Sequence, residues 1–285
     1  MDRRCIAIVL IGLALAACAA LAACAGSGAK LLVDPFPLRF PLAEAGSLEI
    51  DGHIVDQPGT KDGIVTFATR EGYLTAVVIP SRRVLWSKPV EGASPEAGRA
   101  ADPGTPALHV EGPVLRAMGA GGRTLWEFTA DGPIAAAPAL HNGRIYFGTA
   151  GRMFYALKAA TGKVRWRRRL QGAPAHPAVA AAGRLAVAAS NSVVYRLSRR
   201  GGSVLSWHAV PSRVVYEPAA AGPFVLISSA SPMITALDMR SGTDAGQYEA
   251  SGPLAAGAVW SPPYVVLFVE DEASGRQKIV FLRSR

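Results

Sequence analysis

Apolar residues in this chain come in short runs separated by turn residues, and one arrangement recurs along the sequence. Its clearest copy reads Pro138-Ala139-Leu140, turn His141-Asn142-Gly143, strand Arg144-Ile145-Tyr146-Phe147-Gly148-Thr149, a turn, strand Met153-Phe154-Tyr155-Ala156-Leu157, turn Ala160-Thr161-Gly162 and strand Lys163-Val164-Arg165-Trp166. With a strand over Pro133 to Leu140, this predicts four short strands in about 40 residues, rich in β-branched and aromatic side chains. Trp86, Trp126 and Trp166 are spaced by 40 residues and Trp207 follows after 41, each just after a turn. In the fifth unit Gly246 holds the strict position, and Tyr248, two residues on and on the same strand face, is expected to substitute for the tryptophan. Four strands per repeat is the arithmetic of a propeller blade. A lone blade cannot bury both of its faces, whereas blades packed around an axis cover every sheet.

Fourth strands are expected at Trp86, Trp126, Trp166, Trp207 and Tyr248. The remaining stretch holds three strands, over Pro253 to Trp260, Tyr264 to Val269 and Lys278 to Leu282. Its missing outer strand is expected from Pro37 to Leu42, with Phe40 in the tryptophan position, since prolines suit an outermost strand. The expected fold is therefore all-β: a six-bladed propeller of four-stranded antiparallel blades over residues 37–285, closed by pairing of the N-terminal strand with the C-terminal blade. Phe40, Trp86, Trp126, Trp166, Trp207 and Tyr248 are expected to dock each blade on its neighbour. The 30 glycines and 21 prolines leave no body segment free of both that is longer than Arg184 to Arg200, which excludes long helices.

The segment from Ala156 to Trp166, with Thr161-Gly162 and Trp166 at its end, resembles the Ala-x-Asp-x-x-Thr-Gly-x-x-x-Trp repeat of PQQ-like (quinoprotein-type) β-propellers, with Lys158 in place of the acidic residue. Ala236-Leu237-Asp238-Met239-Arg240-Ser241-Gly242 keeps the Asp and lacks the Trp. The enzymes of that family carry eight blades, a vicinal cysteine disulfide and Ca²⁺ ligands at the quinone. All three cysteines here (Cys5, Cys18, Cys24) precede the body, so no PQQ and no other cofactor is expected. The resemblance then implies the non-enzymatic lipoprotein branch, similar to the lipoprotein of the outer-membrane β-barrel assembly machinery (BamB-like), whose propeller has eight blades against the six counted here.

Met1-Asp2-Arg3-Arg4 followed by the apolar Ile6 to Ala23 reads as an export leader. Leu21-Ala22-Ala23-Cys24 resembles the lipobox of bacterial lipoproteins, which implies a signal peptide over 1–23, lipidation of Cys24 and a linker over 24–36. Leu15-Ala16-Ala17-Cys18 fits the same pattern; Cys24 is preferred because small, flexible residues begin directly after it. An uncleaved membrane span is the alternative. Ala25 in place of an inner-membrane retention Asp suggests, by resemblance, an outer-membrane anchor facing the periplasm.

The formal charge is +9, from 30 Lys+Arg against 21 Asp+Glu, which favours anionic partners or surfaces. In a propeller, turns after first and third strands share one rim. That rim is expected to carry Arg82, Arg83, Arg123, Lys163, Arg199, Arg200 and Arg240 as partner-binding residues, with Lys61, Arg144 and Arg184. The opposite rim collects acidic turns such as Glu71, Glu111, Asp131, Glu249 and Glu270. The five histidines fall in five units with no metal-ligand or carboxylate-partnered spacing, so no metal or catalytic site is expected. Function is read as a protein-binding envelope scaffold in outer-membrane protein assembly or envelope maintenance, not an enzyme, with a membrane contact through the lipid, an envelope protein partner and no nucleic acid. The alternatives are a small-ligand-binding or enzymatic propeller using the central channel, and a structural lipoprotein of a larger envelope complex.

Overall fold

A computed structural model describes residues 38–90, 106–272 and 274–285. The leader, Cys24, the linker and Pro37 lie outside the described residues. Strand β1 (Leu42–Ile50) comes first and belongs to the last sheet. The first blade is β2 (Gly59–Lys61), β3 (Ile64–Ala68), β4 (Tyr73–Val78) and β5 (Arg83–Pro89); the second has β6 (Ala107–Glu111), β7 (Val114–Met118) and β8 (Thr124–Thr129). The third is β9 (Ala139–His141), β10 (Arg144–Gly148), β11 (Met153–Lys158) and β12 (Val164–Arg169), and the fourth is β13 (Val179–Ala181), β14 (Arg184–Ala189), β15 (Val193–Ser198) and β16 (Val204–Ala209). The fifth is β17 (Ala219–Ala221), β18 (Phe224–Ser228), β19 (Met233–Asp238) and β20 (Asp244–Glu249). The sixth is β21 (Leu254–Ser261), β22 (Tyr264–Glu270) and β23 (Gln277–Ser284), with β1 on its outer edge in the order β1-β23-β22-β21.

All ladders among these strands are antiparallel, and the fold is an all-β propeller. Six sheets among the described residues are consistent with six blades, and the β1–β23 ladder is consistent with closure through the chain's two ends. The second sheet has three described strands, because the segment where its first strand would run, 91–105, lies outside the described residues.

Both faces of each sheet are apolar because alternate residues of a strand point opposite ways. In β10, Ile145 and Phe147 pack with Leu115 of the second blade, while Tyr146 packs with Leu185 and Val187 of the fourth. The core is accordingly a series of clusters between neighbouring blades, at the second–third, third–fourth, fourth–fifth, fifth–sixth and sixth–first boundaries.

Two expectations need correction here. The first strands are not continuous over 133–140 and 174–181: Ile134 and Pro174 each make one isolated bridge, and only Ala139–His141 and Val179–Ala181 form regular strands. The prolines between (Pro138 and Pro177) carry no donor for a ladder. The N-terminal outer strand is Leu42–Ile50, not Pro37 to Leu42. Phe40 therefore precedes the strand instead of occupying its tryptophan register.

Candidate functional site

The junctions between blades decide which side chains are free for function. In the third-to-fourth-strand ladders of the first five blades the register slips at one place, after Ala76, Ala117, Ala156, Arg196 and Ala236. The residues opposite them are Trp86, Trp126, Trp166, Ser206 and Gly246. Trp126 Nε1 donates to the carbonyl of Ala159 at 2.7 Å, and Trp166 Nε1 to that of Arg199 at 3.2 Å. Each indole lies over a left-handed glycine of the next blade, Gly162 (φ +66) and Gly202 (φ +70), where a Cβ would collide with the ring. Trp86 is half-buried under Lys88 Nζ, 5.4 Å from its ring.

Trp207 does not dock. It is 66% exposed, because its spacing of 41 puts it one residue past the slot and so on the opposite face, paired with Tyr195. Arg196 takes over. Its guanidinium donates to the carbonyls of Met239 at 3.1 Å and Arg240 at 2.7 Å and to Ser206 Oγ at 3.0 Å, and it covers Gly242. In the fifth blade the slot residue is Gly246, and the ring that covers it is Phe40. Tyr248 packs beside it in the cluster of Ile234, Leu254 and Leu282. At the sixth-to-first junction the roles are exchanged, with Gly46 in the outer strand and Arg82 of the first blade's turn lying over it.

The cations expected on one rim lie on turns or open the strands that follow them, Arg83, Arg144 and Arg184 being the first residues of β5, β10 and β14. Arg83, Arg123, Lys163, Arg200 and Arg240 are exposed there. Arg82 is not a free rim cation: it is half-buried against Gly46, and its Nε is buried without a partner among the described residues. Arg199 is half-buried beside Arg144, whose Nη1 donates to the Arg199 carbonyl at 2.7 Å. The turns here are tight: Asn142-Gly143 and Ala182-Gly183 have positive φ at both positions, as two-residue hairpins require. Between them and the β15–β16 turn lies a cavity of about 240 Å³ lined by Asn142, Arg144, Tyr146, Gly183, Arg199 and Arg200. A second, more open cavity of about 420 Å³ sits at the same end between the first and sixth blades, lined by Thr60, Lys61, Asp62, Gly63, Trp260, Ser261 and Pro262.

His53 Nδ1 lies 3.0 Å from Glu71, and His208 Nε2 lies 3.2 Å from Asp244, so two histidines do meet carboxylates that spacing alone did not reveal. The His53 side-chain and backbone hydrogen bonds lower Glu71 from the usual carboxylate range to about 2. Strand β12 adds a basic outer edge, Arg165, Arg167 and Arg169 all exposed, with Arg168 donating to the Gly202 carbonyl at 3.0 Å. Charged outermost strands resist edge-to-edge pairing.

A family model described as outer membrane protein assembly factor BamB matches residues 110–271, more than half of the chain. The chain belongs to this family. Among solved structures it is similar to BamB from Moraxella catarrhalis, at 18% identity and a TM-score of 0.48, over 84% of this chain and 63% of that one. The chain thus spans just under two thirds of that BamB. It is also similar to the computationally designed Ika8 protein, at 14% identity and a TM-score of 0.48 over 80% of this chain and 70% of that one. Raptor from Chaetomium thermophilum matches at 11% identity and a TM-score of 0.66 over 87% of this chain and 29% of its own, a likeness of fold. A search of curated protein sequences found no match.

Proposed function

We propose that this chain is a lipid-anchored propeller of the bacterial envelope that binds protein partners during outer-membrane protein assembly, and that it works by binding, not catalysis. The observation that carries this reading is the match to the BamB family model over 110–271. The exposed cations Arg83, Arg123, Lys163, Arg200 and Arg240 on one end of the sheets supply a surface for an acidic partner, whose attraction salt would weaken. Anchoring through Cys24 rests on Leu21-Ala22-Ala23-Cys24.

The test is crosslinking and co-purification of the full-length protein from its own membrane, alongside palmitate labelling. The expected outcome is recovery of outer-membrane assembly proteins with the parent, their loss when Arg83, Arg123, Arg200 and Arg240 are changed to Glu, and loss of label in Cys24→Ser. Recovery of no assembly protein with the parent removes the functional reading. Label lost only in Cys18→Ser moves the anchor.

A further inference from the structure

We propose that the cavity between the third and fourth blades is an oxyanion site that takes a phosphate group, free or on a lipid headgroup. Among the described residues its lining holds three arginines and no acidic residue. The guanidinium of Arg144 is held in place by its bond to the Arg199 carbonyl, which also receives the Trp166 indole, so the docking of one blade on the next orients the site. A guanidinium presents five N–H donors in a fixed fork, and one of them is spent here, leaving the others for a ligand.

The second observation is Tyr146. Its ring is fully buried and lines the cavity, and its phenol oxygen is buried with no partner at hydrogen-bonding geometry among the described residues. The charged groups acting on it are Arg144, whose guanidinium stands near enough to donate toward the phenol oxygen, and Arg199; both only donate, so the phenol proton has no acceptor among the described residues. A bound oxyanion supplies that acceptor and is shared by the guanidinium groups. A tetrahedral phosphate offers oxygens to three cations and a phenol at once, and its charge answers theirs better than the single charge of a carboxylate. The electrostatic field agrees: burial and then the charge of Arg199 lower the pKa of His141, which pairs with Arg144 across the β9–β10 ladder.

Full-length protein in uncharged detergent, titrated with inorganic phosphate by calorimetry and ³¹P NMR, tests this. One saturable site is expected. Tyr146→Phe, which keeps the ring and removes only an unpartnered hydroxyl, should melt no lower than the parent and bind phosphate about 10-fold more weakly. Arg199→Gln with Arg200→Gln should weaken binding by more than about 30-fold, whereas Arg165→Gln, exposed on β12 and outside the cavity, should bind as the parent does. Tighter binding of glycerol phosphate than of inorganic phosphate assigns the group to a lipid headgroup, and the reverse order assigns it to free phosphate. Absence of saturation overturns the proposal. So does a loss in the arginine variant with Tyr146→Phe unchanged, which general charge attraction would produce.

Discussion

The guanidinium of Arg196 meets the carbonyl of Met239 at 3.1 Å, in the place where, one blade earlier, the indole of Trp166 meets the carbonyl of Arg199. The two acceptors are 40 residues apart, as are the two slot residues, Trp166 and Ser206. A cation with several donors thus replaces an aromatic ring with one, and the same backbone carbonyl is satisfied. The junction depends on filling the space above a glycine and bonding that carbonyl, more than on tryptophan itself.

Trp166→Ala should cost about 3–5 kcal/mol, because it empties a buried site and removes one of the two donors to the Arg199 carbonyl. Trp207→Ala should stay within about 0.5 kcal/mol of the parent, since the ring is 66% exposed. Denaturant unfolding of the two variants side by side checks the assignment, and equal losses would contradict it.

Replacing Arg196 by Ala should cost about 2–3 kcal/mol through the acceptors it leaves behind. Adding Ser206→Trp to that variant rebuilds the Ala–Trp pairing of the third blade and should recover at least about 1 kcal/mol. A double variant no more stable than Arg196→Ala would show that the two fillings are not equivalent.

Gly202 and Gly183 both have positive φ, but a Cβ on Gly202 would run into the Trp166 ring whereas one on Gly183 would meet nothing within 4 Å. Gly183→Ala should therefore show backbone strain alone, about 1 kcal/mol. Gly202→Ala should cost roughly 3 kcal/mol by adding overpacking. Thermal unfolding that ranks them in the opposite order would refute the docking geometry.

Deleting residues 38–50 removes Phe40 from Gly246 and strips β1 from β23. Amide exchange protection from Lys278 to Leu282 should fall and aggregation should rise, as for any newly exposed edge strand. Phe40→Ala alone should leave that protection in place while lowering stability by about 2 kcal/mol.

Glu71 has its folded pKa lowered to about 2 from 4.5 by His53. Its contribution is complete above pH 4.5 and is lost as the pH falls toward 2. The melting-temperature gap between the parent and Glu71→Gln should be present at pH 6, begin to narrow near pH 4.5 and close as the pH approaches 2. A gap independent of pH would mean that the carboxylate charge is not what matters.

The sequence by itself determined the fold class, because a 40-residue period of short apolar runs punctuated by glycine-containing turns can bury both faces of each unit only by stacking it on neighbours. Residues 110–271 also carry the family match. It further put every third-to-fourth-strand turn at one end of its sheet, since the strands run antiparallel. Tertiary structure alone decided which side chain fills each junction. The 41-residue spacing of Trp207 was visible, but that one extra residue turns it to the other face depends on the register slip after Arg196, a property of the ladder. Phe40 over Gly246, Arg82 over Gly46, and Arg144, Tyr146 and Arg199 around one cavity join residues from different blades or distant turns. No local pattern encodes such neighbours, because they meet only when sheets that are separate in sequence pack face to face.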